Sequence, residues 1–200
     1  MSEHYFSENP HSKSSPKTWN CLLREKTYHF TSDAGVFSKN TVDFGTRLLI
    51  EQFDYPQVSG DLLDLGCGYG PIGMTLADGA PERHVLLADI NERAVELAKK
   101  NAEKNGVHNV EVVQSDGFAD LDGRQFAAVL INPPIRAGKK LIYRMFEDAE
   151  KALLSGGALW IVIQKKQGAP SAEEKLQALF GNVETVAKSK GYYILRAVKV

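Results

Sequence analysis

Leu62-Leu63-Asp64-Leu65-Gly66-Cys67-Gly68-Tyr69-Gly70-Pro71 is the stretch that decides the fold. Its apolar start reads as a buried strand and its glycines as a tight loop. Pro71 opens a helix at the first position, where a missing N–H costs nothing. A strand running through such a loop into a helix cradles a polar ligand. Two ligand classes compete for it. Gly68-x-Gly70-x-x-Gly73, with Asp89 about 20 residues on, satisfies the dinucleotide fingerprint. Asp64 argues the other way. A pyrophosphate at the helix N-terminus would be repelled by a carboxylate just ahead of the glycines, whereas a ligand carrying an ammonium and a sulfonium would be attracted. S-adenosylmethionine is such a ligand, and Gly66, Gly68 and Gly70 form the loop it would meet. At Gly66 and Gly68 a Cβ would occupy its space.

Working outward, the chain repeats the same unit. His84–Asp89 is a second apolar run ending in an acid, followed by a helical pattern from Glu92 to Asn105. In open α/β sheets ligands bind beyond the carboxyl ends of the strands, so Asp89 is placed to accept from ribose hydroxyls. The competing role is a helix cap, but Asn91 stands closer to the helix and suits that better. A third run, Val110–Gln114, ends in Ser115-Asp116-Gly117. Asp116 is a candidate acceptor for an adenine amine, and Asp before Gly is also an ordinary turn pair.

Phe126–Ile131 leads into Asn132-Pro133-Pro134. Each proline ring fixes φ and removes an amide hydrogen, so the Asn132 side-chain oxygen and the Pro133 carbonyl are held as fixed acceptors. Two fixed acceptors suit one NH2 group, which points to methylation of an exocyclic amine on a planar group. A further strand near Ala158–Ile163 and a terminal hairpin, Val183–Lys188 with Tyr192–Lys199 across Ser189-Lys190-Gly191, complete the set. Helices start near Pro71, Glu92 and Lys139. The expected fold is α/β, a doubly wound, mostly parallel sheet with a C-terminal antiparallel hairpin. Right-handed crossovers would gather Asp64, Asp89, Asp116 and Asn132 on one edge.

Upstream, residues 1–17 are rich in Ser, Pro, His and Lys without apolar periodicity and read as a flexible tail. A hairpin is expected within Thr18–Thr31, turning at Glu25-Lys26, and a helix within Thr41–Gln52. Residues 18–55 then form an N-terminal hairpin and helix ahead of a cofactor-binding core over 56–200, all in a single domain, which 200 residues at 43% hydrophobic content can support.

Asp64 through Gly70 with Asp89, Asp116 and Asn132-Pro133-Pro134 resembles the class I methyltransferases. Within them it resembles the small-domain family that includes ribosomal RNA small subunit methyltransferase C, which methylates a guanine amine. Gly35-Val36-Phe37-Ser38-Lys39 looks like that family's lead-in to the catalytic domain, and the likeness extends from about Thr18 to Val200. The chain departs from the pattern twice. It carries no counterpart of the inactive duplicate domain that precedes the catalytic one in methyltransferase C, and Ile135 stands where many relatives have Phe or Tyr.

The resemblance implies S-adenosylmethionine as cofactor, ribosomal RNA or a ribosomal subunit as partner, and guanine rather than adenine as the base. Nothing in Asn-Pro-Pro itself separates two ring amines. A protein glutamine amide also presents an NH2 to the same acceptors and is the alternative substrate. A binding module that keeps the fold without catalysis is a third reading, which the intact Asp64 and Asn132 argue against. Phe37 is the candidate stacking ring in place of the missing aromatic, against a core role. Arg136, Lys139, Lys140 and Arg144 follow the double proline and are candidate phosphate ligands, against a solvated helix face. Lys165 and Lys166 are a lesser addition. Because 24 basic residues nearly balance 25 acidic ones, RNA contact must come from such a local patch rather than from a basic coat. Cys21 and Cys67 suit neither a disulfide framework nor a zinc site, the five histidines show no metal-ligand spacing, and no metal is expected. No apolar run approaches the ~20 residues needed to span a bilayer, and the expected location is the cytoplasm.

Overall fold

The computed structural model describes residues 13–38, 40–121 and 123–200. Most of the expected tail, together with Lys39, lies outside the described residues. Of the last tail residues, Ser14 and Ser15 donate to the Asp33 carboxylate, and the first strand already begins at Lys17.

Strands β1 (Lys17–Leu23) and β2 (Lys26–Ser32) pair antiparallel across a tight turn in which Arg24 and Glu25 both take positive φ, 44° and 68°. Helix α1 (Phe44–Gln52) follows, its N-terminus capped by Asp43, whose Oδ2 accepts from Thr46 N at 3.1 Å. Then come β3 (Asp61–Leu65), α2 (Pro71–Gly79), β4 (Val85–Asp89), α3 (Glu92–Lys104), β5 (Val110–Gln114), β6 (Phe126–Ile131), α4 (Lys139–Ala152), β7 (Leu153–Gln164), α5 (Ala169–Phe180), β8 (Glu184–Ser189) and β9 (Tyr192–Val198).

Seven strands form one sheet in the order β5-β4-β3-β6-β7-β9-β8. β3 through β7 are parallel, and β9 runs antiparallel to both β7 and β8. Successive side chains of a strand point to opposite faces, and the core divides accordingly. Leu62, Leu87, Leu130 and Trp160 face α1, α2, α3 and the β1–β2 hairpin. Leu63, Leu86, Val129 and Ile161 face α4 and α5. In α4, Ile142, Met145, Phe146 and Ala149 recur at helical spacing and are buried on that second face.

Two features go beyond the expectations above. β7 begins at Leu153, five residues ahead of the expected Ala158, because the strand continues through Gly156-Gly157. A Cβ on Gly157 would lie 2.9 Å from the carbonyl oxygens of Ala127 and Leu154, so only glycine lets β7 approach β6 there. The second is α5, for which no helix had been expected. It starts with Pro170 in its first turn and ends at Gly181, which has φ 74°.

β3, β4 and β5 build outward on one side, and β6 returns to the other side of β3. The boundary between β3 and β6 is therefore the topological switch point, where a crevice opens beyond the strands' carboxyl ends.

Candidate active site

A cavity of about 660 Å³ occupies that crevice. The glycine loop forms its floor. Gly66 N and Cys67 N both donate to the Ala88 carbonyl, at 2.8 and 3.0 Å, and Gly70 N closes a turn onto Cys67 O. Gly66 (φ 75°) and Gly68 (φ 57°) are left-handed, and a Cβ on either would meet no atom within 4 Å. Such side chains would project into open space at the cavity wall. Gly70 and Gly73 have another purpose. A Cβ on Gly70 would press on Leu87, Met74 and Ala98, and one on Gly73 would lie 2.5 Å from Leu87 Cγ, so these two allow α2 to lie close on the sheet.

The expected acids divide as well. Asp89 lines the cavity at the end of β4. Its Oδ2 accepts from Gly68 N at 2.8 Å and its Oδ1 from Asn91 N at 2.9 Å, so one carboxylate holds both the glycine loop and the turn before α3. Asn91 caps α3 by accepting from Arg93 N and Ala94 N, which leaves the outer lone pairs of Asp89 for a ligand. Burial pushes the Asp89 carboxyl up to about 6, against the pull of the Asn91, Gly68 and Ile90 amides.

Asp64 does not line the cavity. It is fully buried behind the loop, where Oδ2 accepts from Gly73 N at 2.8 Å and Oδ1 has no partner among the described residues. Burial, with a smaller contribution from Asp89, pushes its carboxyl up to about 7. The orphaned Oδ1 leaves the carboxyl without a second donor, directly behind the glycine loop. Asp116 is exposed at the end of β5 and lines the cavity with Ser115 and Gly117.

Asn132 stands at the end of β6, the strand beside β3, and its Nδ2 donates at 2.9 Å to Oγ1 of Thr46, which is buried in α1. That bond commits one Nδ2 hydrogen to the protein and leaves Oδ1, on a residue that lines the cavity, without a partner among the described residues. The Pro134 carbonyl accepts from Ala137 N at 2.8 Å in the short 3-10 turn Ile135–Ala137, whereas that of Pro133 accepts nothing from the described residues. Asn132, Pro133, Pro134, Phe37 and Arg136 all line the cavity, while Lys139, Lys140 and Arg144 are exposed on α4 outside it. Lys139 lies over the Tyr143 ring at 5.1 Å, and Arg144 pairs with Asp148 at 3.6 Å.

Thr46 and Tyr192 are among the cavity residues that the sequence reading did not single out. Thr46 is 86 positions from Asn132, and Tyr192 enters from the first residue of β9. Only the helical spacing that buries Thr46 hinted at the first, and nothing local marked the second.

The donor set fits a cationic amino-acid ligand joined to a nucleoside. Two glycines open the wall, a buried carboxyl lies behind them, and Asp89 and Asp116 follow at the next two strand ends. Among the described residues no helix is long and apolar enough to cross a membrane.

Comparison with known proteins identifies the family. Residues 27–196 match the family described as methyltransferase small domain. An uncharacterized Bacillus subtilis protein, YbxB, is 58% identical over the whole of both chains. Ribosomal RNA large subunit methyltransferase G of Streptomyces avermitilis is 36% identical over 84% of this chain and 45% of its own length. The structure of a T. thermophilus 16S rRNA N2 methyltransferase in complex with AdoMet and guanosine superposes with a TM-score of 0.83 at 26% identity, covering 94% of this chain and 52% of that one. The chain thus spans about half the length of the ribosomal RNA methyltransferases it matches.

Proposed function

The chain belongs to the methyltransferase small domain family, and from that premise we propose that it transfers a methyl group from S-adenosylmethionine to the exocyclic amine of a base in ribosomal RNA, a guanine in the first instance. The observation that carries the proposal is the Asn132 amide, pinned through Nδ2 to Thr46 so that Oδ1 and the Pro133 carbonyl form a pair of acceptors beside the open glycine loop. Guanine is preferred because the AdoMet- and guanosine-bound relative shares the fold at 26% identity, and ribosomal RNA because the named relatives act on it.

The residues divide the work along the sheet. Gly66 and Gly68 admit the amino-acid end of the cofactor, Asp64 supplies negative charge behind them, Asp89 takes the ribose hydroxyls and Asp116 the adenine amine. Gly70 supports the loop by packing. When bound, the cofactor supplies an already activated methyl on a sulfonium. An aromatic amine has its lone pair delocalised into the ring. Asn132 Oδ1 and the Pro133 carbonyl, by accepting its two hydrogens, favour the pyramidal form in which that lone pair is free to react. Placement is the protein's main contribution, and well-oriented systems gain ~7–11 kcal/mol over free encounter. Pro133 and Pro134 hold the acceptors rigid without further bonds.

A paired base is out of reach, so the target is unpaired or flipped, at a cost of a few kcal/mol. Phe37 adds an apolar wall to the cavity. Arg136 at the rim, with Lys139, Lys140 and Arg144 along α4, takes flanking phosphates.

The test is transfer of labelled methyl to small subunits, large subunits, naked ribosomal RNA and ribosomal protein, with Asn132→Ala alongside. Label in an RNA fraction, lost in the variant while cofactor affinity persists, supports the reading. Label only in protein replaces it with glutamine amide methylation. Retained cofactor binding with no acceptor in any pool leaves a binding module.

A further inference from the structure

The sheet order separates the cavity into two sides. Gly66, Gly68, Asp89 and Asp116 stand at the carboxyl ends of β3, β4 and β5, while β7 and β9 lie beyond β6, which Asn132 follows. Resting on the acceptor-base reading above, we propose that this second side is the base-recognition subsite: the target base stacks on Tyr192, the Gln164 and Gln167 carboxamides read its edge, and Lys165, Lys166 and Lys190 hold the adjoining phosphates.

Tyr192 stands against the Asn132 anchor. A Cβ on Gly45 would come within 2.8 Å of Tyr192 Cε1, so the ring lies directly on α1 beside Thr46, the residue that holds the Asn132 amide. Phe44 braces the ring from the same helix, with centroids 5.5 Å apart and planes tilted by 51°. Half-buried and lining the cavity, Tyr192 supplies the aromatic face that Ile135 does not; Ile135 packs into the apolar cluster under α4 and α5. Phe37 is tied elsewhere. Its segment is fastened to the start of α3 by Asn91 Nδ2 donating to Gly35 O at 2.8 Å and by Arg93 donating to Ala34 O, next to Asp89 and therefore on the cofactor side.

The glutamines and lysines converge on the same corner. Gln164 is the register partner of Tyr192 in the β7–β9 pair, and Lys165 N donates to Gly191 O at 2.8 Å, which locks the end of β7 to the β8–β9 turn. Gln164 and Gln167 line the cavity, and neither carboxamide has a hydrogen-bond partner among the described residues. A carboxamide both donates and accepts, as a base edge requires. Lys165, Lys166 and Lys190 are exposed around this corner, with Lys190 Nζ 4.7 Å from the Phe44 ring centroid. The acids of the wall do not oppose them there: Asp89 and Asp116 are on the other side, and Asp43 is spent on the α1 cap.

The experiment measures steady-state methyl transfer by the full chain to the RNA fraction that the unmodified protein accepts, with cofactor affinity by calorimetry and melting curves in parallel. Loss of a base–aromatic stack predicts that Tyr192→Ala raises KM for RNA about tenfold or more. Tyr192→Phe, which keeps the ring, should recover most of that loss, and cofactor affinity should hold throughout. Gln164→Ala should raise KM several-fold, and Lys166→Glu should raise it at low salt and flatten its salt dependence. These two remain informative should Tyr192→Ala fail to fold. RNA methylation with KM unchanged in the Tyr192 and Gln164 variants, or Phe no better than Ala, overturns the subsite alone. No RNA methylation by the unmodified protein overturns the acceptor reading and the subsite with it.

Discussion

Thr46→Val removes one hydroxyl and almost no volume, and it isolates what orients the Asn132 amide. Thr46 Oγ1 is the acceptor for Asn132 Nδ2 at 2.9 Å, at a site only 4% exposed. With valine there the NH2 of Asn132 would point at a methyl group. Leaving a buried donor unsatisfied costs about 1–3 kcal/mol. The amide then spends most of its time turned away, and Oδ1 no longer faces the cavity in the majority of molecules. At about 1.4 kcal/mol per tenfold, kcat should fall by roughly one to two orders of magnitude. Cofactor affinity should be unchanged, since Thr46 lies on α1, away from the strand ends that carry Asp89 and Asp116. The α1 cap also survives, because Asp43 accepts from the backbone N–H of residue 46. Thr46→Ser restores a hydroxyl and should restore most of the rate. Labelled-methyl kinetics with kcat and KM resolved, beside calorimetric cofactor titration, would read this out. A Val variant within twofold of the parent kcat would refute the idea that Thr46 sets the amide, and Ser no better than Val would assign the loss to packing.

Three further tests address other parts of the site. Gly68→Ala should cost about 1–2 kcal/mol of stability for its left-handed backbone while cofactor binding in a calorimetric titration falls much further; Gly73→Ala, forced against Leu87, should lose about 1–3 kcal/mol in denaturant unfolding, with its main effect there. Asp64, raised to about 7, binds its proton more tightly folded than unfolded, so its contribution to stability falls as pH rises from about 4 to about 7 and stays unfavourable above. In Asp64→Asn the drop in urea midpoint between pH 5 and pH 8 should therefore shrink, without vanishing, because Asp89 at about 6 contributes in the same sense; an undiminished drop would argue against a titrating Asp64. Replacing Arg136, Lys139 and Lys140 together by serine should weaken RNA binding at low salt and reduce the slope of log K against log salt by about two, as phosphate contacts require; an unchanged slope would leave them as a solvated face.

Much of the fold was legible because its strands are short apolar runs ended by chemistry-bearing residues. The runs Val110–Gln114 and Phe126–Ile131 form strands, and helices start at Pro71, Glu92 and Lys139, near where they were expected. α5 was hidden because two of its four buried residues, Ala169 and Ala172, are too small to mark a face, and because a proline in its first turn reads as a break. The start of β7 was hidden by two glycines whose meaning lies in the neighbouring backbone. At the site, the strand-end residues were visible, since an α/β sheet brings them together whatever their separation in sequence. Thr46 and Tyr192 were not, because their roles depend on how α1 lies across β6 and β9. Asp64 was recognised as a charge, yet its place behind the glycine loop follows from the turn rather than from its neighbours in sequence.

The β1–β2 hairpin is joined to α3 by two asparagines one helical turn apart. Asn101 receives from Thr31 N and donates to Thr31 O, and Asn105 does the same with His29. Their spacing of four along the helix matches the alternation of two along the strand, so the amides stand in for a neighbouring strand on the open edge of β2. Asn101 also donates to Tyr69 O in the glycine loop, beneath which Trp19, Phe30 and Tyr69 pack ring against ring. Anyone trimming this enzyme toward a minimal catalyst would therefore find its limit near Lys17 rather than at the start of the parallel sheet, since removing the hairpin would strip the underside of the glycine loop proposed to receive the cofactor.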